Sequence, residues 1–142
     1  MKQKIITDPT ILKQKSEIVD KGRASGIFSI LDDSLDLSKG CGLTAIQIGI
    51  NLQVGIIRLP RCKLNLWNPK IIEKSQPFRF KQEGCLSFPG IHVNTKRYFD
   101  VVIVNGDGRK YALTGLEAIV CQHEIAHMNG RTIFDDKWRK QR

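Results

Sequence analysis

Residues 114–130 read TGLEAIVCQHEIAHMNG, and this stretch decides more about the fold than any other. Leu116, Ile119, Val120, His123 and His127 recur at three- and four-residue spacing. At about 100° per residue they share one helical stripe roughly 100° wide. Thr114 and Glu117 form an S/T-x-x-E pair, which predicts a capping box at the helix start. Gly130 fits the residue that closes a helix in the left-handed conformation. Because the histidines share the apolar stripe, the pattern predicts that they point inward. A buried imidazole without a polar partner costs about 1–3 kcal/mol. One inward histidine is ordinarily a core residue with a satisfied hydrogen bond. For two on one stripe, a single metal ion satisfies both, and Glu124 sits at the stripe's edge as a proton carrier beside them.

A catalytic site of this type needs a third protein ligand and an open position. Downstream the chain offers little. No Glu follows Glu124, and Ile133 stands where H-E-x-x-H-x-x-G-x-x-H would place its last histidine, although Gly130 is in step. Asp135 and Asp136 are weak carboxylate candidates. Upstream, QEGCLSFPG (82–90) presents Cys85 after a glycine. A thiolate there can approach a metal closely, and Cys with two His is a known catalytic zinc set. Burial as a small hydrophobe is the commoner fate of a cysteine.

Outward from these stretches the pattern is mixed. Asp8-Pro9 signals a helix start or a turn, and Ile27, Phe28, Leu31 and Leu35 predict an amphipathic helix over 23–35. LQVGIIRL (52–59) and KLNLWN (63–68) read as strands separated by Pro60, with KIIEK (70–74) as another. DVVIVNGDGRKYAL (100–113) is the clearest hairpin, with Asn105 to Gly108 at its turn. No internal repeat or low-complexity linker divides the chain. The expectation is one domain over residues 1–142, α+β, with short antiparallel strands packed around a central helix that carries His-Glu-x-x-His.

Composition narrows the class. Apolar residues make up 41% and charged residues 26%, as in a globular rather than a disordered chain. The start, MKQKIITDPT, lacks the apolar core of a signal peptide, and no apolar run nears the roughly 18 residues of a membrane span. A cytoplasmic protein without a membrane partner is expected, or one of an organelle or host-cell cytoplasm if the chain is organellar or viral. The four cysteines, 41, 62, 85 and 121, include no C-x-x-C pair, so a disulfide framework is not expected. Lys and Arg number 23 against 14 acids, a net charge of +9, part of it in the tail KWRKQR (137–142). Such charge suits a polyanionic partner or simple solubility.

Three strings in order resemble the peptide deformylase family: Gly40-Cys41-Gly42-Leu43-Thr44-Ala45-Ile46-Gln47, Glu83-Gly84-Cys85-Leu86-Ser87 and His123-Glu124-Ile125-Ala126-His127. The family's motifs are G-x-G-L-A-A-x-Q, E-G-C-L-S and H-E-x-x-H. The resemblance implies hydrolysis of the N-formyl group from the starting methionine of new polypeptides. It implies that Cys85, His123 and His127 hold one divalent metal, Fe²⁺ by preference, with Zn²⁺ or Ni²⁺ able to occupy the site. Glu124 would move the proton between the attacking water and the leaving amine. The side-chain amide of Gln47 and the backbone N–H of Leu86 would stabilise the oxyanion. Gly42 would line the substrate cleft, and Cys41, Leu43, Leu116, Ile119 and Val120 are candidates for the methionine pocket.

The sequence departs from the family at several points. Thr44 replaces the motif's first Ala and brings a hydroxyl that needs a partner. Ala126 stands where many bacterial members have Asp. His92 occupies a position, seven after Cys85, where bacterial members often carry an Arg near the substrate. After GRTIFDD six residues follow, whereas the common bacterial form continues into a long C-terminal helix that helps dock on the ribosome. A compact form is therefore expected, with KWRKQR as a weak basic ribosome contact. Two readings compete with deformylation. A peptidase of another type would cleave internal bonds and tolerate Cys85→Ala. An RNA-binding domain with a structural metal would need a fourth ligand that the sequence does not offer.

Overall fold

Asp8 starts the first short helix, α1 (Pro9–Leu12), where its carboxylate accepts the Thr10 N–H at 2.9 Å and Pro9 occupies the first turn. The computed structural model describes residues 1–140. Helix α2 (Lys21–Ser34) begins two residues before the predicted start, because Asp20 caps it by accepting the Arg23 N–H at 2.9 Å. Its Ala24, Ile27 and Leu31 are buried, the three-and-four spacing expected of an inward face.

The strands are short and antiparallel throughout. β1 (Gly42–Thr44), β2 (Val54–Leu59) and β3 (Cys62–Trp67) form one sheet in that order. β2 and β3 turn at Pro60-Arg61 and pair Leu59 with Cys62. A short 3-10 turn, Ala45–Ile48, follows β1. The second sheet joins β4 (Lys70–Lys74), β7 (Asp100–Val104) and β8 (Lys110–Thr114) in the order β4-β7-β8. The β7–β8 turn is closed by Gly108 N–H on Asn105 O at 2.9 Å, as the hairpin reading expects. The architecture is a small mixed α/β fold of antiparallel strands and few helices.

One element has no counterpart in the sequence reading. β5 (Pro77–Gly84) and β6 (His92–Tyr98) form a separate two-stranded ribbon. Residues near the C-terminal end lie along its outer edge. Lys96 N–H donates to Asp136 O and Trp138 N–H to Asn94 O, each at 2.8 Å, and Lys137 bridges Thr95 antiparallel.

Helix α3 (Leu116–Met128) carries His123, Glu124 and His127 and packs against β1, β2, β6 and β8. Two expectations for it fail. The capping box is absent: Gly115 is the N-cap, at φ 63°, a conformation open to glycine. Thr114 instead ends β8 and donates its hydroxyl to Asp100 at 2.6 Å. The single inward stripe is also too simple. Burial runs nearly round the helix, through Ala118 to Cys121 and from Glu124 to Met128, whereas Leu116 in the first turn is 53% exposed. Gly130 takes φ 73°, as expected of the closing residue. Among the described residues no helix is long and apolar enough to cross a membrane.

Candidate active site

The third candidate ligand arrives through the ribbon. Cys85 directly follows β5, and the fold carries it over the histidines of α3. Its Sγ lies 3.4 Å from His127 Nε2, which lies 3.1 Å from His123 Nε2, and the three atoms fall within 4.8 Å of one another. Neither Asp135 nor Asp136 joins this cluster. Asp135 accepts the Thr132 N–H, and Asp136 accepts from Arg97 and Arg131.

Behind His123 stands a buried ion pair that the sequence reading missed. Glu83 Oε2 accepts from His123 Nδ1 at 2.7 Å, while Arg97 grips the same carboxylate through Nε at 2.7 Å and Nη2 at 2.5 Å. Thr95 donates to Oε1 at 2.8 Å, and Arg97 Nη1 reaches Asp136 at 2.8 Å. A bulge turns Glu83 inward. Phe80 pairs with Thr95 but Glu83 with Val93, so β5 carries one extra residue, and Gln82 absorbs it at φ 60°. One inserted residue reverses the in–out alternation, which puts Glu83 on the face of Thr95 and Arg97. Burial pushes the Glu83 carboxyl up, but the Arg97 and His123 hydrogen bonds outweigh it and hold the group at about 2.

These contacts decide whether the cluster suits a cation. A carboxylate at Nδ1 fixes one proton of His123 there and turns Nε2 toward the cluster. His127 has its Nδ1 buried with no hydrogen-bond partner. Burial first, then His123 and Arg97, push its imidazole well below the ordinary value, so it stays neutral. Burial opposes charge on His123, but its hydrogen bonds to Cys85 and Glu83 outweigh that and hold its imidazole well above the ordinary value in the metal-free protein. Two Nε2 atoms and a sulfur converge, and a divalent cation would displace the proton His123 holds there and satisfy all three. The donor set fits.

Glu124 is buried beside this cluster, with Oε1 3.9 Å from His123 Nε2 and Oε2 lacking any hydrogen-bond partner. Burial pushes its carboxyl up to about 7. Gly42 backs it closely: a Cβ there would stand 3.0 Å from the Glu124 carboxyl carbon and 3.2 Å from Ile56 O. Gln47 is also buried, and its orientation is fixed at both ends. Oε1 accepts from Thr44 N–H and Thr44 Oγ1, each at 3.0 Å, which turns the amide nitrogen toward Ser87 Oγ at 3.1 Å and Cys85 Sγ at 3.9 Å. The hydroxyl of Thr44 thus has its partner.

A cleft of about 850 Å³ opens over these groups and is lined by Cys41, Gly42, Gln47, Leu86, His92, Leu116, Ile119 and Val120 together with Cys85, His123 and Glu124. Leu43 is not among the lining residues. It lies in β1 opposite Ile56 of β2 and is fully buried in the core, because strand alternation sends it to the face opposite Gly42.

Removing the positive half of the buried pair is expected to unfold the ribbon before it silences the site. Arg97→Met strands Glu83 as a buried charge, a loss of about 3–5 kcal/mol. Urea titration of the metal-free variant checks this; a midpoint equal to that of the unaltered protein would show the pair to be dispensable.

Fold and cluster together describe a small mixed α/β protein with a candidate metal site. A family model, "Polypeptide deformylase", matches residues 2–142. The peptide deformylase of Aquifex aeolicus is 36% identical, over 96% of this chain and 85% of its own. That of Alkaliphilus metalliredigens is 36% identical over 94% of each. The crystal structure of the Thermotoga maritima peptide deformylase superposes with a TM-score of 0.85 at 28% identity, over 98% of this chain and 99% of that one. The chain belongs to the polypeptide deformylase family, enzymes that remove the N-formyl group from nascent polypeptides.

Proposed function

We propose that Cys85, His123 and His127 hold one divalent metal ion and that the chain hydrolyses the formyl group from the N-terminal formyl-methionine of new polypeptides, releasing formate. The observation that carries this is the convergence of those three ligand atoms within 4.8 Å, beside a buried and unpartnered Glu124 carboxylate oxygen. Fe²⁺ is the metal proposed for the working enzyme, with Zn²⁺ or Ni²⁺ able to take its place, since one donor set serves several first-row ions. Bound there, the cation supplies Lewis acidity that activates water near neutral pH and polarises a carbonyl.

The chain's own residues do the rest. Glu124 accepts the proton of the attacking water and delivers it to the nitrogen as the C–N bond breaks. The amide nitrogen of Gln47 and the backbone N–H of Leu86 donate to the oxygen of the formyl group as it gains charge. Cys41, Leu116, Ile119 and Val120 offer apolar surface for the methionine side chain, while His92 and Gly42 flank the peptide behind it. α3 serves as the central element of a single catalytic domain over residues 1–142, a reading supported by its near-complete burial. We assign the enzyme to a cytoplasm. The exposed Lys137, Arg139 and Lys140 suit a weak ribosome contact; the remainder of that tail, Gln141 and Arg142, lies outside the described residues.

The deciding experiment is formate release from an N-formyl-Met peptide by anaerobically purified protein loaded with Fe²⁺. Release that a chelator abolishes is the expected result; no release with metal verified in the protein overturns the reading. Thr44→Val deletes one of the two donors that orient Gln47 and is expected to lower kcat about 3- to 10-fold, the worth of one hydrogen bond. KM should hold, and Thr44→Ser should restore the rate.

A further inference from the structure

The cleft has a charged mouth that the catalytic groups do not use. Lys2, Lys4 and Lys39 line it, all exposed, and none forms an ion pair among the described residues. Their placement is fixed by backbone contacts. The N-terminal segment is pinned by Gln3 N–H on Ser34 Oγ at 2.8 Å and by Ile6 N–H on Gln47 O at 2.7 Å. Lys2 and Lys4, two apart, flank the first of these anchors. Lys39 ends a turn in which its own N–H and that of Gly40 donate to Asp36 O at 2.9 and 3.1 Å. It therefore stands at the head of the Gly40-Cys41-Gly42 segment that lines the cleft.

The acids that line the same cleft offset this charge only in part: Asp36 lies close enough to Lys39 and Lys2 to feel both, one acid against three lysines. Glu83 is committed to Arg97 and His123, and Glu124 is buried. Asp36 alone faces solvent, and its Oδ1 accepts from Ser38 N–H at 3.0 Å and Ser38 Oγ at 2.6 Å. Across the cleft, Phe80, Gln82, Ile91 and His92 offer no anion. A formylated substrate has no charged amine at its end, so charge on its first side chains is what this mouth can sense.

Resting on the deformylase reading, we propose that Lys2, Lys4 and Lys39 form a cationic rim that selects formyl-methionine chains with acidic side chains soon after the methionine. Exposed charges lining a cleft act mainly on encounter and are screened by salt. The preference therefore belongs in kcat/KM, chiefly through KM, and fades at high ionic strength.

The test compares three peptides at low salt by formate release: formyl-Met-Ala-Ser, formyl-Met-Asp-Glu and formyl-Met-Lys-Lys. The expected kcat/KM order is acidic, neutral, basic, with about 5- to 10-fold between neighbours, within the range of electrostatic steering. The ratio of acidic to basic peptide should collapse toward unity in the Lys2→Gln/Lys4→Gln/Lys39→Gln protein and fall markedly in Lys39→Glu. Equal kcat/KM for the three peptides in the unaltered enzyme overturns the inference alone. So does a ratio that survives the triple substitution. Failure to release formate from all three overturns the deformylase reading and the rim with it.

Discussion

Cys85→Ala protein is expected to leave purification without metal and without measurable formate release. Cys85 Sγ is one of three converging donors, and the other two sit on one turn of one helix. Losing a hydrogen-bond partner behind a ligand typically lowers metal affinity about 10- to 100-fold, and losing the ligand itself goes further. The sulfur also comes from a different element than the histidines, so without it nothing closes the cluster from the ribbon side. Alanine at this half-buried position should leave the fold intact, which circular dichroism would verify. Metal analysis is the decisive reading. A Cys85→Ala protein holding a full equivalent of Fe²⁺ would show that the ligand set is drawn wrongly.

Glu124→Gln is expected to separate the two properties that Cys85→Ala loses together. The amide keeps the shape of the side chain against Gly42, so metal content should stay at the unaltered level. It cannot take or give the proton, and kcat should fall about 10²- to 10⁴-fold, the ordinary worth of a positioned acid–base group. Stability should move the other way. In the metal-free protein, burial raises the Glu124 carboxyl from 4.5 to about 7, so the fold binds a proton more tightly than the open chain. That contribution is full below about 4.5 and is lost as pH rises through 7. The variant escapes the loss, and its urea midpoint relative to the unaltered protein should climb between pH 5 and 8. A near-normal turnover rate would remove Glu124 from the mechanism.

The parts of this site legible in sequence are those written in local spacing. His123, Glu124 and His127 needed only the helical period, and Asp8 and Gly130 announced their helix ends by residue type. Other features depend on contacts that no local pattern records. Glu83 meets Arg97 from the facing strand, fourteen positions on, and only because a bulge at Gln82 reverses the phase of β5. The ribbon itself escaped because PFRFKQEG, half polar and mostly exposed, lacks a clean alternation. Its one cue was Phe78 and Phe80 two apart, interleaved with Arg79 and Lys81. The false capping box at Thr114 has the opposite origin. Its composition was right, but Gly115 supplies the backbone turn and Asp100 claims the hydroxyl. Leu43 sits in the core and Gly42 on the cleft because a motif gives order along the chain, whereas the pleat decides which neighbour faces the cleft.

The segment lying along β6 has a bearing on how the protein behaves in a crowded solution. A two-stranded ribbon alone exposes unpaired N–H and C=O groups on both flanks, and such flanks recruit strands from other molecules. Here Asp136, Lys137 and Trp138 occupy one flank with main-chain hydrogen bonds, and Asp136 is also fastened to Arg97. The same few residues that brace the charge behind His123 thereby shield an adhesive seam. Nicking the chain ahead of Asp136 would loosen the support behind His123 and, in the same event, leave a molecule prone to self-association.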